Sequence, residues 1–164
     1  MCGLAAVSAQ LADRNPLAVA RGKTLSTLPA IQKAALPPVM RERLAVTEMM
    51  LRAGVTLVTG TDTSVLHPPG FSLHDELDML VESGLTPTEA LRAATVNSAA
   101  LFPAVEAGAV AAGKRADLVL LDANPLADIR NTQRITAVVL RGRVIDRLSL
   151  DRMLADAVRL AAKN

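Results

Sequence analysis

The stretch VTLVTGTD, residues 55–62, decides how the rest of the chain is read. Its first five residues are all β-branched or apolar, and such a near-continuous run is that of a strand covered on both faces, as parallel strands in α/β proteins are. Polar residues follow at once, so the strand delivers a carboxylate, Asp62, to the loop just beyond its C-terminal end. In barrels and open α/β sheets active sites are assembled on that edge, where loops converge while the sheet stays rigid. A carboxylate there can ligate a divalent metal and take a proton from a metal-bound water, which the ion acidifies. Read in isolation, Gly-Thr-Asp is more often a turn whose aspartate bonds its own backbone, so the octapeptide is decided by its neighbours.

Upstream, residues 1–38 carry weak periodicity, with turn signals at Asn15-Pro16 and Pro37-Pro38, and predict a loop-rich entry with one or two short helices and a possible barrel strand near 3–7. Over 39–53, Met40, Leu44, Met49 and Leu51 recur at helical spacing among charged residues, and Gly54 supplies the stop. Downstream of the Pro68-Pro69-Gly70 loop, Ser72 is positioned to cap a helix whose Leu73, Leu77, Leu80 and Val81 form the buried stripe. Asp75 and Glu76 read there as carboxylates favouring the positive end of the helix dipole. Gly84 ends that helix, and Thr86-Pro87-Thr88-Glu89 carries the signature of a capping box for the next.

From Gly108 onward short β-like runs replace helical patterns. GAV leads through AAGKR to ADLVLLD, and ITAVVL leads through Arg141-Gly142 to RVID, which predicts a small antiparallel sheet with a two-residue hairpin turn at Gly142. The glycine and lysine of AAGKR do not make a phosphate loop, because GxxxxGK[ST] is absent, so Gly113 to Asp117 reads as a structural turn. Ser149 is read as capping a closing amphipathic helix with Met153, Leu154, Ala157, Val158 and Ala161 on one face.

Composition excludes several classes. Hydrophobic residues are 51% and charged residues 21% of 164, with no charge blocks, so the chain is globular. The net charge of +2 is scattered, and Phe71 and Phe102 are the only aromatic residues, which argues against nucleic acid as a partner. The opening MCGLAAVSAQLA lacks a positive start and is too short to span a bilayer, giving an expectation of a cytoplasmic protein with no membrane partner. The single cysteine, Cys2, fits a reducing compartment and reads as a small buried apolar residue.

Together, GVTLVTGTDTS, SLHDELDMLVESGLTPTEALRAATVNSAALF and GAVAAGKRADLVLLDANPLADIRNTQRITAVVLRGRVIDR resemble the amidohydrolase superfamily, particularly its imidazolonepropionase-like and prolidase-like members. Three ordered segments between about residues 39 and 147 carry the resemblance, which is more specific than any one of them. It implies an α/β fold: the C-terminal portion of a (β/α)8 TIM-type barrel with 55–60 as its eighth strand, part of a small β-sandwich domain, and a C-terminal helix. The corresponding boundaries are 1–102, 103–147 and 148–164. It further implies that Asp62 binds metal, zinc in the complete enzyme, and serves as general base and then acid in hydrolysis of an amide, dipeptide or cyclic C–N bond.

The family's other ligands, a His-x-His pair at the first strand, a modified lysine and two single histidines, have no counterparts in the sequence, so this chain alone is expected to hold no metal. Its two histidines do not have a metal-ligand spacing. His67, near Asp62 in the loop, can reach a substrate or a metal but is more readily a solvated loop histidine, and His74 is read as a surface or capping residue. Thr61, Thr63 and Ser64 are candidates to orient Asp62 and are equally ordinary turn residues. A Ser64, His67, Asp62 triad is disfavoured for want of a strand-turn-helix elbow.

Two functional readings stay open. One is a portion of an amidohydrolase that acts on a small-molecule amide or dipeptide once a complementary N-terminal barrel chain supplies the missing ligands. The other is a non-catalytic remnant or interaction protein, prone to self-association through an unpaired strand edge.

Overall fold

In a computed structural model the residues described are 38–62, 71–102, 104 and 106–161. The loop-rich entry, the strand near 3–7, Cys2, Thr63, Ser64 and His67 lie outside them. Helix α1 (Pro38–Arg52) ends where expected, with Gly54 in the left-handed region at φ 75°. Of its expected apolar face Leu44 is buried, whereas Met49 is 68% exposed.

Helices α2 (Ser72–Glu82) and α3 (Pro87–Arg92) are joined through Gly84, whose φ of 106° only glycine adopts at low cost. The capping box of α3 is present in full: the Thr86 hydroxyl accepts the Glu89 amide at 3.3 Å, and the Glu89 carboxylate accepts the Thr86 amide at 2.7 Å. At α2 the expectation fails. Ser72 is the first helical residue and the cap is Phe71, with no side-chain bond; the Phe71 carbonyl instead accepts the His74 and Asp75 amides. Past α3 the helix widens into a π-turn (Ala93–Asn97) before a last α-helical turn, α4 (Ser98–Leu101).

A three-stranded antiparallel sheet follows, ordered β1-β2-β3 from Leu118–Leu121, Ile135–Leu140 and Arg143–Asp146. Between β2 and β3, Arg141 and Gly142 have φ of 51° and 81°, the paired left-handed residues that a tight hairpin requires. The first predicted hairpin does not form. GAV pairs with nothing in the sheet; β1 pairs with β2, and a 3-10 turn (Ile129–Gln133) lies between them. AAGKR is a turn held by Arg115, whose guanidinium reaches Glu106 and Asp117. The last helix, α5 (Arg147–Ala161), buries Leu150 and Leu154 and leaves Met153 40% exposed. Its cap is Asp146, which accepts the Ser149 amide at 2.8 Å, so Ser149 sits inside the first turn, contrary to expectation. A carboxylate at the end of β3 competes better for the helix amides than a serine three residues on.

The buried cluster is Leu77 of α2, Ala90 of α3 and Ile129 of the 3-10 turn, with Leu73, Leu80, Val81, Leu91 and Ala94 packed against it. Burying a leucine or isoleucine fully contributes about 1.5–3 kcal/mol. This cluster therefore fixes the two helices against the segment that connects the sheet strands.

The segment 55–60 has the extended form and the unpaired edge expected of a strand without its neighbours, and lacks the cover on both faces that its apolar run suggests. Among the described residues it pairs with no strand, and Val55 is 44% exposed and Val58 36%. A β-ladder needs a neighbouring backbone, and the described residues offer helices there instead.

Candidate functional site

What holds 55–62 is a set of bonds from those helices. Thr59 donates its amide to the Ala93 carbonyl at 3.3 Å. The Asn97 side-chain amide donates to the Leu57 carbonyl at 2.9 Å, and the Gly60 amide donates to Glu76 Oε1 at 2.8 Å. The π-turn makes the first two possible. Widening the helix changes which carbonyls are used internally, and that of Ala93 accepts both Thr59 and the Ser98 hydroxyl, the latter at 2.7 Å. Gly108 comes close behind: a Cβ on it would lie 2.7 Å from Ala99 Cβ, so only glycine fits beside the turn.

Asp62 ends this segment. It is exposed and has φ 43°, a left-handed conformation that aspartate tolerates better than most residues. Thr61 is half-buried beside it. The other loop residues singled out from the sequence are outside the described region.

Glu76 is the residue that sequence reasoning misread. Taken as a dipole-favouring carboxylate, it instead reaches 16 positions back to Gly60, while its Oε2 is buried without a hydrogen-bond partner among the described residues. Burial pushes its carboxyl above the usual range, and the Gly60 amide pulls it partly back. Asn97 passed unremarked in the sequence. Its one available signal was that the carbonyls of a strand without an adjacent strand must find donors elsewhere.

His74 is not on the surface. Its Nδ1 lies 2.9 Å from Thr132 Oγ1, tying α2 to the 3-10 turn. The Thr132 hydroxyl donates its only proton to the Ile129 carbonyl at 2.8 Å, so it accepts from His74, and the proton of the neutral imidazole is assigned to Nδ1. Burial holds the imidazole below its ordinary pKa. The role is structural.

Among the described residues no group of three or more His, Cys, Asp or Glu side chains is placed to hold a metal ion. Asp62 fits as one ligand, and a divalent ion needs three or four. No helix in the described region is long and apolar enough to cross a membrane.

The profile of the amidohydrolase family matches residues 11–145, and the chain belongs to that family. Ochratoxinase of Aspergillus niger is 42% identical over 92 residues, covering 54% of this chain and 18% of that enzyme. Imidazolonepropionase of Salinispora arenicola is 35% identical over 118 residues, covering 68% of this chain and 28% of that one. Among solved structures, a Xaa-Pro dipeptidase with methionine bound in its active site superposes with a TM-score of 0.59 at 27% identity, over 63% of this chain and 25% of the dipeptidase. Molinate hydrolase gives 0.56 at 33% identity, over 61% and 25%. The chain thus spans between a fifth and a third of the length of most such relatives, and its helices and three-stranded sheet correspond to part of their α/β fold.

Proposed function

We propose that this chain contributes the last strand, the closing helices and part of the small sheet domain to a (β/α)8-barrel amidohydrolase that hydrolyses an amide, dipeptide or cyclic C–N bond of a small molecule in the cytoplasm. The observation that carries this is the place of Asp62, exposed at the end of an extended segment that helices fix at three points. The names of some relatives support the reaction class: one is a Xaa-Pro dipeptidase, another is named for an imidazolone, and molinate hydrolase is named for hydrolysis.

In this reading the Asp62 carboxylate accepts a proton from the attacking water as the C–O bond forms, and returns it to the leaving nitrogen as the C–N bond breaks. Thr61 beside it, and Thr63, Ser64 and His67, which follow it in the sequence, are proposed as orienting or substrate-loop residues. A divalent metal, zinc in the complete enzyme, would supply water activation. The described residues do not complete its site, so the remaining ligands come from a complementary barrel portion. The exposure of Val55 and Val58 supports neighbouring strands packing against this segment in the complete enzyme.

Co-expression with a barrel portion bearing the His-x-His pair is expected to give turnover of an amide, dipeptide or cyclic amide. Asp62→Asn should reduce kcat by at least about a thousandfold without lowering stability beyond about 0.5 kcal/mol, since the amide keeps the shape and the site is exposed. Unchanged turnover in that variant would reject Asp62 as the proton carrier.

A further inference from the structure

A barrel strand is ordinarily aligned by the strands on either side, but 55–60 is aligned by side chains of the helices that follow it. The Gly60 amide sits two residues before Asp62, and its acceptor is a carboxylate rooted on α2. Bonds from an amide to an ionised acceptor are shorter and stronger than those to neutral ones. The Leu57 carbonyl, three residues further back, is held by Asn97 in the π-turn. One anchor takes a backbone donor and the other a backbone acceptor three residues away, so the segment is held at two points along its length.

Among the described residues Glu76 Oε2 stays buried without a hydrogen-bond partner, an expensive arrangement for a carboxylate whose other oxygen alone is satisfied, by the Gly60 amide. A glutamine would accept the same amide without burying charge. π-Turns are likewise costly and are found preferentially at functional sites. Both features cost stability and both terminate on the segment that carries Asp62.

We propose that Glu76 and Asn97 are positioning residues, which hold the Gly60 amide and the Leu57 carbonyl so that Asp62 is presented from a fixed backbone. The proposal rests on the reading of Asp62 as proton carrier. Its structural half concerns the tether, and its functional half concerns turnover; the two are measured separately.

Amide hydrogen exchange on the 164-residue chain reads the tether. In Glu76→Ala the Gly60 amide should exchange about tenfold faster, while the amide of Val138 in the central strand is unchanged; Glu76→Gln should stay close to wild type. Asn97→Ala provides a second route should Glu76→Ala fail to fold, with faster exchange confined to 57–62. Turnover in the complemented enzyme reads the function. Because a small misplacement of a reacting group costs up to about a hundredfold, Glu76→Ala and Asn97→Ala should lower kcat roughly ten- to a hundredfold, with KM within about twofold and recovery in Glu76→Gln.

Unaltered Gly60 exchange in Glu76→Ala overturns the tether. So does acceleration of equal size at Val138, which signals general destabilisation. Faster Gly60 exchange with kcat untouched overturns the positioning role. If Asp62→Asn leaves turnover intact, the proton-carrier reading fails and the functional half falls with it, whatever Gly60 does.

Discussion

His74 shows how a single side chain ties sequence to fold. Its imidazole donates from Nδ1 to Thr132 and is held below its ordinary pKa of about 6.5 by burial. The unfolded chain therefore binds this proton more readily than the folded one. The stability that the neutral ring contributes is full above about pH 6.5 and is lost as pH falls from there through the lower folded value. Glu76 and Asp78 run the other way, because burial raises both carboxyls and their burial costs stability as pH rises through the raised values. They are common to a comparison of wild type with His74→Gln, so their contributions cancel. The difference in unfolding free energy between the two should shrink between about pH 7.5 and pH 5.5, as followed by urea denaturation. A gap that stays constant would mean the ring is not buried in its neutral form. None of this was legible at residue 74, because the partner, Thr132, lies 58 positions away. Glu76 was hidden for the same reason, its helical neighbours offering a sufficient local explanation. The exposed place of Asp62 after an extended run, by contrast, was legible because an apolar run and a polar turn are local signals.

Elements with local instructions matched their expectations, and those whose form depends on distant partners did not. The Thr86 capping box, the stops at Gly54 and Gly84 and the Arg141-Gly142 turn are each set by a few adjacent residues. Replacing Thr86 by alanine removes the acceptor for the Glu89 amide and should cost about 1 kcal/mol in unfolding free energy, measurable by denaturant titration. A loss below a few tenths would show that Pro87 and the packing of Ala90 fix the helix start by themselves. The caps at Ser72 and Ser149 failed because a serine near a helix start is only one of several available acceptors, and Asp146 took the role at α5. The GAV arm and the 55–60 strand failed for a different reason. A strand is a pairwise object, and apolar alternation or a β-branched run says nothing about which backbone lies alongside. The chain reads as strand at 55–60, yet its backbone groups are met by Glu76, Ala93 and Asn97.

At the scale of the molecule, the buried cluster of Leu77, Ala90 and Ile129 binds the helices to the sheet connection, while several large apolar residues outside it are exposed. Val39, Val46 and Met49 of α1 are exposed, together with Val55 and Val58 of the extended segment. The chain spans only about a quarter of the length of such relatives as the imidazolonepropionase and the dipeptidase, a fact composition cannot reveal because the overall apolar content is ordinary for a globular protein. Family membership was legible from ordered segments, whereas the proposed barrel, metal and substrate would depend on residues beyond those described. Asp62 is proposed as one ligand of an ion site completed by a complementary barrel portion. Zinc content after equilibrium dialysis tests this most directly, comparing the chain alone, the chain with that complement, and the same mixture carrying Asp62→Asn. The account predicts no retained zinc in the first, stoichiometric zinc in the second and a clear loss in the third, since one carboxylate cannot satisfy a tetrahedral ion. A tightly held equivalent of zinc in the chain alone, or full retention in the Asp62→Asn mixture, would contradict it.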